Sequence, residues 1–306
     1  MDRDKILKTL KAKDFFLKLR MKIHSIFPFY YVRNKNISFQ ISNSKCYNEI
    51  SKMYSSIIEE EISESVNESA SDKVWICWFQ GEDKAPDVVK ACINSVRKNM
   101  PHKDIIILTY DNIKKYTNFP NYIWKKFEAG NISFAHFSDL LRIELLCEYG
   151  GIWIDATVLC TKKIGEINYV NNPLFVFKQL DLIRKDEESI VASSWFISAF
   201  PHQRILLLTR RLLWAYWKNH NYLKNYFLFH ICFSLSSKRY VDDWEKIPTY
   251  NNHTPHMLFF ELEQKFDINR WLEIKRQSDF HKLNHHINYN SLAKNSFYNQ
   301  ILSEFL

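Results

Sequence analysis

The sequence predicts an α/β protein with parallel strands at its centre, on three observations. "KVWICWF" at 73–79 is an unbroken apolar run of strand length, the pattern of a strand covered on both faces. Val88, Val89, Cys92, Ile93 and Val96 then recur at helical spacing. "DIIILTY" at 104–110 returns to an apolar strand pattern. Strand, helix and strand in this order form a βαβ unit, whose crossover sets the two strands parallel.

Taken from the first residue, the chain opens with charge. Residues 1–35 hold ten Lys/Arg against three Asp, a surplus of seven in a chain of net charge +8, so the rest is nearly neutral. Ile6, Leu7, Leu10, Phe15, Phe16, Leu17 and Met21 are interleaved with these cations, and "IFPFYYV" follows. Such a basic, amphipathic, aromatic segment suits an anionic membrane surface. A solvated helix packed on the domain fits the pattern equally. No nucleic-acid partner is expected, because the main body has no comparable basic patch. Residues 36–72 are rich in Ser, Asn and Glu, with "EEEISESVNES" at 59–69, and read as a linker or a peripheral helical excursion. The expected division is therefore 1–72 for the N-terminal segment and linker, and 73–306 for the organised domain.

Within that domain the first strand ends in the polar turn "QGEDKA", and Pro86-Asp87 supplies a helix start, with Pro in the first turn and an acid near the N-terminus. Asp111-Asn112 closes the second strand. A helix is predicted over 137–149, with Leu140, Leu141, Ile143, Leu145 and Leu146 on a broad apolar face and Ser138 as its N-cap. Gly150 and Gly151, two of only five glycines, stop it in a tight reversal, and "IWID" follows as a third strand. Residues 193–233 read as a long aromatic and basic helical stretch whose Leu206, Leu207, Leu212, Leu213 and Trp217 are core positions.

The bulk composition, 46% hydrophobic and 25% charged, is that of a globular chain with enough apolar side chains for a sizeable core. Six cysteines without a CxxC pair point to buried free thiols in a reducing compartment rather than a zinc site. No signal peptide and no transmembrane helix are expected, since no uncharged run reaches 18 residues. A cytoplasmic protein, peripheral at the inner face of the plasma membrane through residues 1–35, is the resulting expectation.

The chemistry concentrates at Asp155, where the third strand ends. Ligands of open α/β sheets collect beyond the carboxyl ends of strands. Asp139 and Arg142 are three apart, so they share a face of the preceding helix. The double glycine folds that helix back beside Asp155, and two acids and a guanidinium converge on one cleft.

"SFAHFSDLLRIELLCEYGGIWIDATV" at 133–158 resembles the signature of the capsular polysaccharide synthesis glycosyltransferases. These are related to the sugar-binding-region glycosyltransferases with a DXD motif and, more distantly, to the clostridial glucosylating toxins. The Ser-Asp-x-x-Arg and Gly-Gly-aromatic-x-Asp positions carry the resemblance, "VWICWFQG" supports it, and "IPTYNNHTPH" and "FHKL" do so more loosely, over about 73–285. The resemblance implies a GT-A fold with a mixed central sheet and helical additions at both ends, and a nucleotide-sugar donor, UDP-linked. It implies that Trp78 stacks on the base, that Asp139 and Arg142 bind sugar hydroxyls, and that Asp155 opens the DXD motif with Ala156 and Thr157 beside the donor. A divalent cation, Mn²⁺ or Mg²⁺, would neutralise the leaving diphosphate. Here the second acid of DXD is Thr157, a weaker ligand for a hard cation. Either fewer groups hold the metal, or "SDFHKLNHH" takes over its task, with His281 as a ligand or donor and Lys282 as a positive charge. Acceptor-side residues are expected at about 193–235, with Trp195, Asn225 and His230 as candidates. The acceptor would be a lipid-linked glycan and the transfer retaining; the alternative is a catalytically inactive scaffold subunit of a polysaccharide assembly complex.

Overall fold

The computed structural model describes residues 35–63, 70–179, 189–286 and 293–306. The basic segment at 1–35, expected to meet anionic lipid, lies outside them except for Lys35, which opens helix α1 (Lys35–Met53). Seven strands are used below: β1 (Lys73–Cys77), β2 (Asp104–Leu108), β3 (Gly151–Ile154), β4 (Val158–Cys160), β5 (Leu174–Lys178), β6 (Ala192–Ala199) and β7 (Phe280–Lys282). Five of them form a sheet in the order β2-β1-β3-β6-β5, and β4 and β7 pair as a separate ribbon.

The sheet is mixed. β1 runs parallel to both β2 and β3, while β6 runs antiparallel to β3 and to β5. The parallel half follows from the βαβ unit: helix α2 (Asp87–Asn99) connects β1 to β2 and buries Val88, Val89, Cys92, Ile93 and Val96, the residues whose spacing predicts it. The antiparallel half was hidden in the stretch read as helix. Residues 192–199 form β6, buried along nearly all of its length between two neighbours. Trp195, Phe196 and Ile197 are aromatic and β-branched residues that suit a covered pleated surface, and the helical period begins only after Pro201. It then runs through helix α5 (Arg204–Asn219), which follows α3 (Asn121–Glu128) and α4 (Phe134–Tyr149) in the chain. Leu206, Leu207, Leu212, Leu213 and Trp217 are all buried, as their spacing predicts.

Helix α4 starts one turn earlier than expected. Ser133, not Ser138, is its N-cap, accepting a hydrogen bond from the backbone N–H of His136 at 3.3 Å; Ser138 sits inside the second turn. At the other end both glycines are required. Gly150 has φ 62° and Gly151 φ 93°, and a Cβ on Gly151 would lie 2.3 Å from the Lys73 carbonyl oxygen. Helix and β3 can therefore reverse only without side chains, and the Trp75 indole pins the turn by donating to the Gly150 carbonyl at 2.9 Å.

In the segment before residue 73, residues 35–63 form the helical excursion rather than the linker. Cys46, Ile50, Tyr54 and Ile62 are buried in the same core as the sheet, and the Asn225 amide donates to the Asn43 side chain at 2.9 Å, beside helix α6 (Leu228–Arg239). The remaining helices used here are α7 (Ile268–Gln277), which leads into β7, and α8 (Phe297–Phe305), which packs on α2, where the Asn94 amide donates to the Phe305 carbonyl at 2.8 Å. The six cysteines are free thiols, and burial pushes Cys92 and Cys160 up to about 12. Among the described residues no helix is long and apolar enough to cross a membrane.

Candidate active site

Asp155 is the first residue past β3. Its backbone N–H donates to the Trp195 carbonyl at 2.9 Å, which extends the β3–β6 ladder by one step and fixes where the side chain leaves the sheet. The carboxylate is bracketed by two cations. Arg142 reaches Oδ1 at 3.0 Å from α4, and Lys282 reaches Oδ2 at 2.8 Å from the end of β7. The Trp153 indole also donates to Oδ1 at 3.0 Å, because residues two apart on a strand point the same way. Burial opposes ionisation of Asp155, but Lys282 and then Arg142 outweigh it and hold its carboxyl at about 2.

Arg142 joins the two acids. It donates to Asp139 one turn back on α4 as well as to Asp155, and its guanidinium lies 4.9 Å from the Trp153 ring centre and 5.3 Å from that of Phe229. His136 lies 3.3 Å from the other side of the Asp139 carboxylate. Asp139 too is held below the ordinary range: burial raises its pKa, and Arg142 and His136 more than compensate. The Arg142 Nε and the His230 Nδ1 are buried without a hydrogen-bond partner. Burial lowers His230 to about 4, so it faces Asp139 and Arg142 as a neutral imidazole.

Trp78, Ala156, Thr157 and Lys282 also meet here. Extending the parallel β1–β3 register by three residues sets Trp78 level with Ala156. Trp78 is half-buried, its indole N–H has no partner, and the His285 ring packs edge-on against it at 5.2 Å. Lys282 bonds the Thr157 hydroxyl at 2.8 Å while holding Asp155, so one ammonium spans the first and third residues of the Asp-Ala-Thr triplet.

His281 does not belong to the cluster. Neighbouring residues on a strand point to opposite faces, so a strand that aims Lys282 at Asp155 aims His281 away. Its Nε2 is 3.0 Å from the Thr161 hydroxyl, its side chain is fully buried, and burial lowers it to about 3. Asn225 is likewise committed elsewhere, to Asn43 and to the backbone N–H of Phe227. Trp195 touches the site through its carbonyl, while its indole donates to Asn252 at 2.7 Å. Trp153, His136 and His285 were not anticipated. Trp153 stands two residues before Asp155 and His136 three before Asp139, so strand and helix periods alone could have found both.

Among the described residues no three His, Cys, Asp or Glu side chains are grouped to hold a metal ion. Both Asp155 oxygens are engaged by cations, and the position that would carry a second acid is Thr157, itself bonded to Lys282.

An acid bracketed by two cations just beyond parallel strands sits where open α/β proteins collect their ligands. Residues 27–301 match the family described as capsular polysaccharide synthesis protein, and the chain belongs to that family. The match begins well before residue 73, in keeping with the packing of α1 on the body. The O-glycosyltransferase braB of Annulohypoxylon truncatum is 32% identical over 115 residues, 34% of this chain and 27% of that protein, so the chain spans about a quarter of that relative's length. The solved PaToxG glycosyltransferase superposes with a TM-score of 0.40 at 14% identity, over 68% of this chain and 80% of that one, a likeness too slight to argue from.

Proposed function

We propose that the protein is a glycosyltransferase that moves a sugar from a nucleotide-sugar donor onto a glycan acceptor in surface polysaccharide synthesis. The observation that carries this reading is the Arg142–Asp155–Lys282 relay at the strand ends. A sugar diphosphate leaving group develops negative charge in the transition state, and a preorganised pair of cations is what stabilises it. Lys282 is 21% exposed in its side chain, so its ammonium can turn from Asp155 toward an entering phosphate oxygen. Asp139 and Arg142 lie on the sugar side of the site in this reading, and the half-buried Trp78 ring meets the base. Uridine diphosphate is the expected nucleotide from the family resemblance.

The same geometry favours transfer without a metal ion. Lys282 already bonds the two positions that a DXD motif would offer to a cation, and it brings one positive charge there on the chain itself. Both acids of the cluster are tied to Arg142, so neither is free to attack the sugar. A front-face displacement with retained configuration fits that arrangement. We further propose that the acceptor is lipid-linked and that residues 1–35, with their surplus of cations, hold the enzyme against anionic lipid.

The test is hydrolysis of UDP-, GDP- and CDP-sugars by purified protein without acceptor, in EDTA and in Mn²⁺, with the released anomer read by NMR. Turnover of one nucleotide class in EDTA, with retained configuration, is expected. A folded sample that neither turns over nor is stabilised by any of them would favour an inactive scaffold subunit instead.

A further inference from the structure

A cavity of about 370 Å³ lies at the far end of the β4–β7 ribbon from Lys282. Tyr169 and Phe177 line it, Tyr250 forms a wall, and Lys162, Arg276 and Asp279 stand around it. The wall comes from "IPTYNNHTPH" at 247–256, a stretch that resembles the family yet takes no part in the donor site.

That wall is built rather than loose. The Asn251 side chain accepts from the backbone N–H of His253 and Thr254 and from the Thr254 hydroxyl, at 3.0, 2.8 and 2.9 Å. Lys178 at the end of β5 clasps the loop from both sides, donating its N–H to Tyr250 at 2.7 Å and accepting from Asn252 at 2.9 Å. The Tyr250 ring packs on Tyr169 with centroids 4.6 Å apart and remains 44% exposed, so one face is free for a ligand. A preformed wall lowers the ordering cost of binding.

The charges are unbalanced. Lys162 lies 3.4 Å from Asp279, which compensates it. The exposed Arg276 has no hydrogen-bond or ion-pair partner among the described residues. A planar guanidinium beside an aromatic face and side-chain hydroxyls and amides suits a sugar ring that bears a carboxylate or phosphate. Packing links the cavity to the candidate active site. Phe177 stacks on Trp195 at 4.7 Å, and the Trp195 carbonyl holds the Asp155 N–H. The three-residue ribbon between them is about 10 Å long.

We propose that this cavity is an acceptor subsite that binds an acidic sugar unit, stacked on Tyr250 and read by Arg276. The inference rests on the glycosyltransferase reading above. The experiment is calorimetric titration of the whole chain with three probes: a uronate-bearing tetrasaccharide, its carboxyl-reduced neutral form, and a phosphorylated oligosaccharide. Wild-type protein should bind the uronate or the phosphate probe more tightly than the neutral one, and the tighter of the two identifies the acid. Arg276→Ala should weaken that probe about tenfold, the loss of one charge-assisted contact, and leave the neutral probe unaffected. Tyr250→Ala should weaken all three. Acidic probes that bind no better than the neutral one, or an Arg276→Ala variant with unchanged affinity, would overturn the proposal. Donor hydrolysis by wild-type protein is measured beside it: its absence counts against the transferase reading, while the titration still judges the cavity.

Discussion

Helix α4 carries two ion networks, and they differ in kind. Toward its start, Arg142 links Asp139 to Asp155, and Lys282 closes on Asp155 from β7. Two residues further on, Glu144 and Glu148 share the single cation Arg210 of α5. Glu144 is 1% exposed in its side chain and its remaining oxygen accepts from the Asn118 backbone at 3.2 Å, so that acid is sealed, while Glu148 carries the network out to the surface at 43% exposure. Asp155 is 27% and Lys282 21% exposed, so the first network reaches solvent at the strand ends. Burial raises the pKa of Glu144, whereas two cations hold Asp155 at about 2. Orphaned polar atoms, Arg142 Nε and His230 Nδ1, lie beside the first network. Charge pairing at helical spacing is common to both; an acid bracketed by two cations at a strand end belongs to one alone.

The difference can be broken from either side. Asp155→Asn should cut donor turnover about 100- to 1000-fold, the scale of losing one preorganised electrostatic group, with the melting curve still cooperative; loss of folding would make Asp155 structural. Arg210→Ala should do the reverse. It leaves Glu144 buried and unpaired, so urea unfolding should show about 3 kcal/mol less stability, with kcat of the folded enzyme unchanged. A fall in kcat would merge the two networks into one site.

Lys282→Ala should lower turnover about 100-fold in EDTA. Adding Thr157→Asp to that variant recreates an Asp-x-Asp pair, and its activity should return only with Mn²⁺. Activity that returns equally in EDTA would show that Lys282 is not the cation that matters.

The smallest effect is on pH. His230 and His281 are buried at about 4 and about 3, below the ordinary histidine value of about 6.5. The unfolded chain therefore binds protons that the folded one refuses, so their contribution is complete above about pH 6.5 and declines as the pH falls toward 4. Asp155, anionic down to about 2, adds no titration near neutrality. The melting temperature should be flat from pH 7 to 8 and fall between 6.5 and 4; a rise in that interval would contradict the burial of both histidines.

What the sequence disclosed depended on the range of the interaction. Spacing along one helix puts Asp139 beside Arg142, and the paired glycines bring Asp155 back to them, so that convergence was legible from about twenty residues. Val88 to Val96 and the two flanking apolar runs likewise gave the parallel half of the sheet. β6 was not legible, because residues 192–199 are a strand only by virtue of β3 and β5 on either side. The same limit explains His281. The three residues of β7 carry no readable period, and only their pairing with β4 decides that Lys282 faces the cleft and His281 the core. The packing of α1 was concealed by its composition, since its few buried residues, Cys46 and Ile50 among them, sit in a polar stretch.

The central claim is that Lys282, poised on Asp155, receives a nucleoside diphosphate without help from a metal. Calorimetric titration of wild-type protein with UDP, once in EDTA and once in Mn²⁺, tests it most directly. Equal dissociation constants in the two buffers, within about twofold, are the predicted result. Binding that appears only with Mn²⁺ would contradict the claim and return the diphosphate to a metal ion.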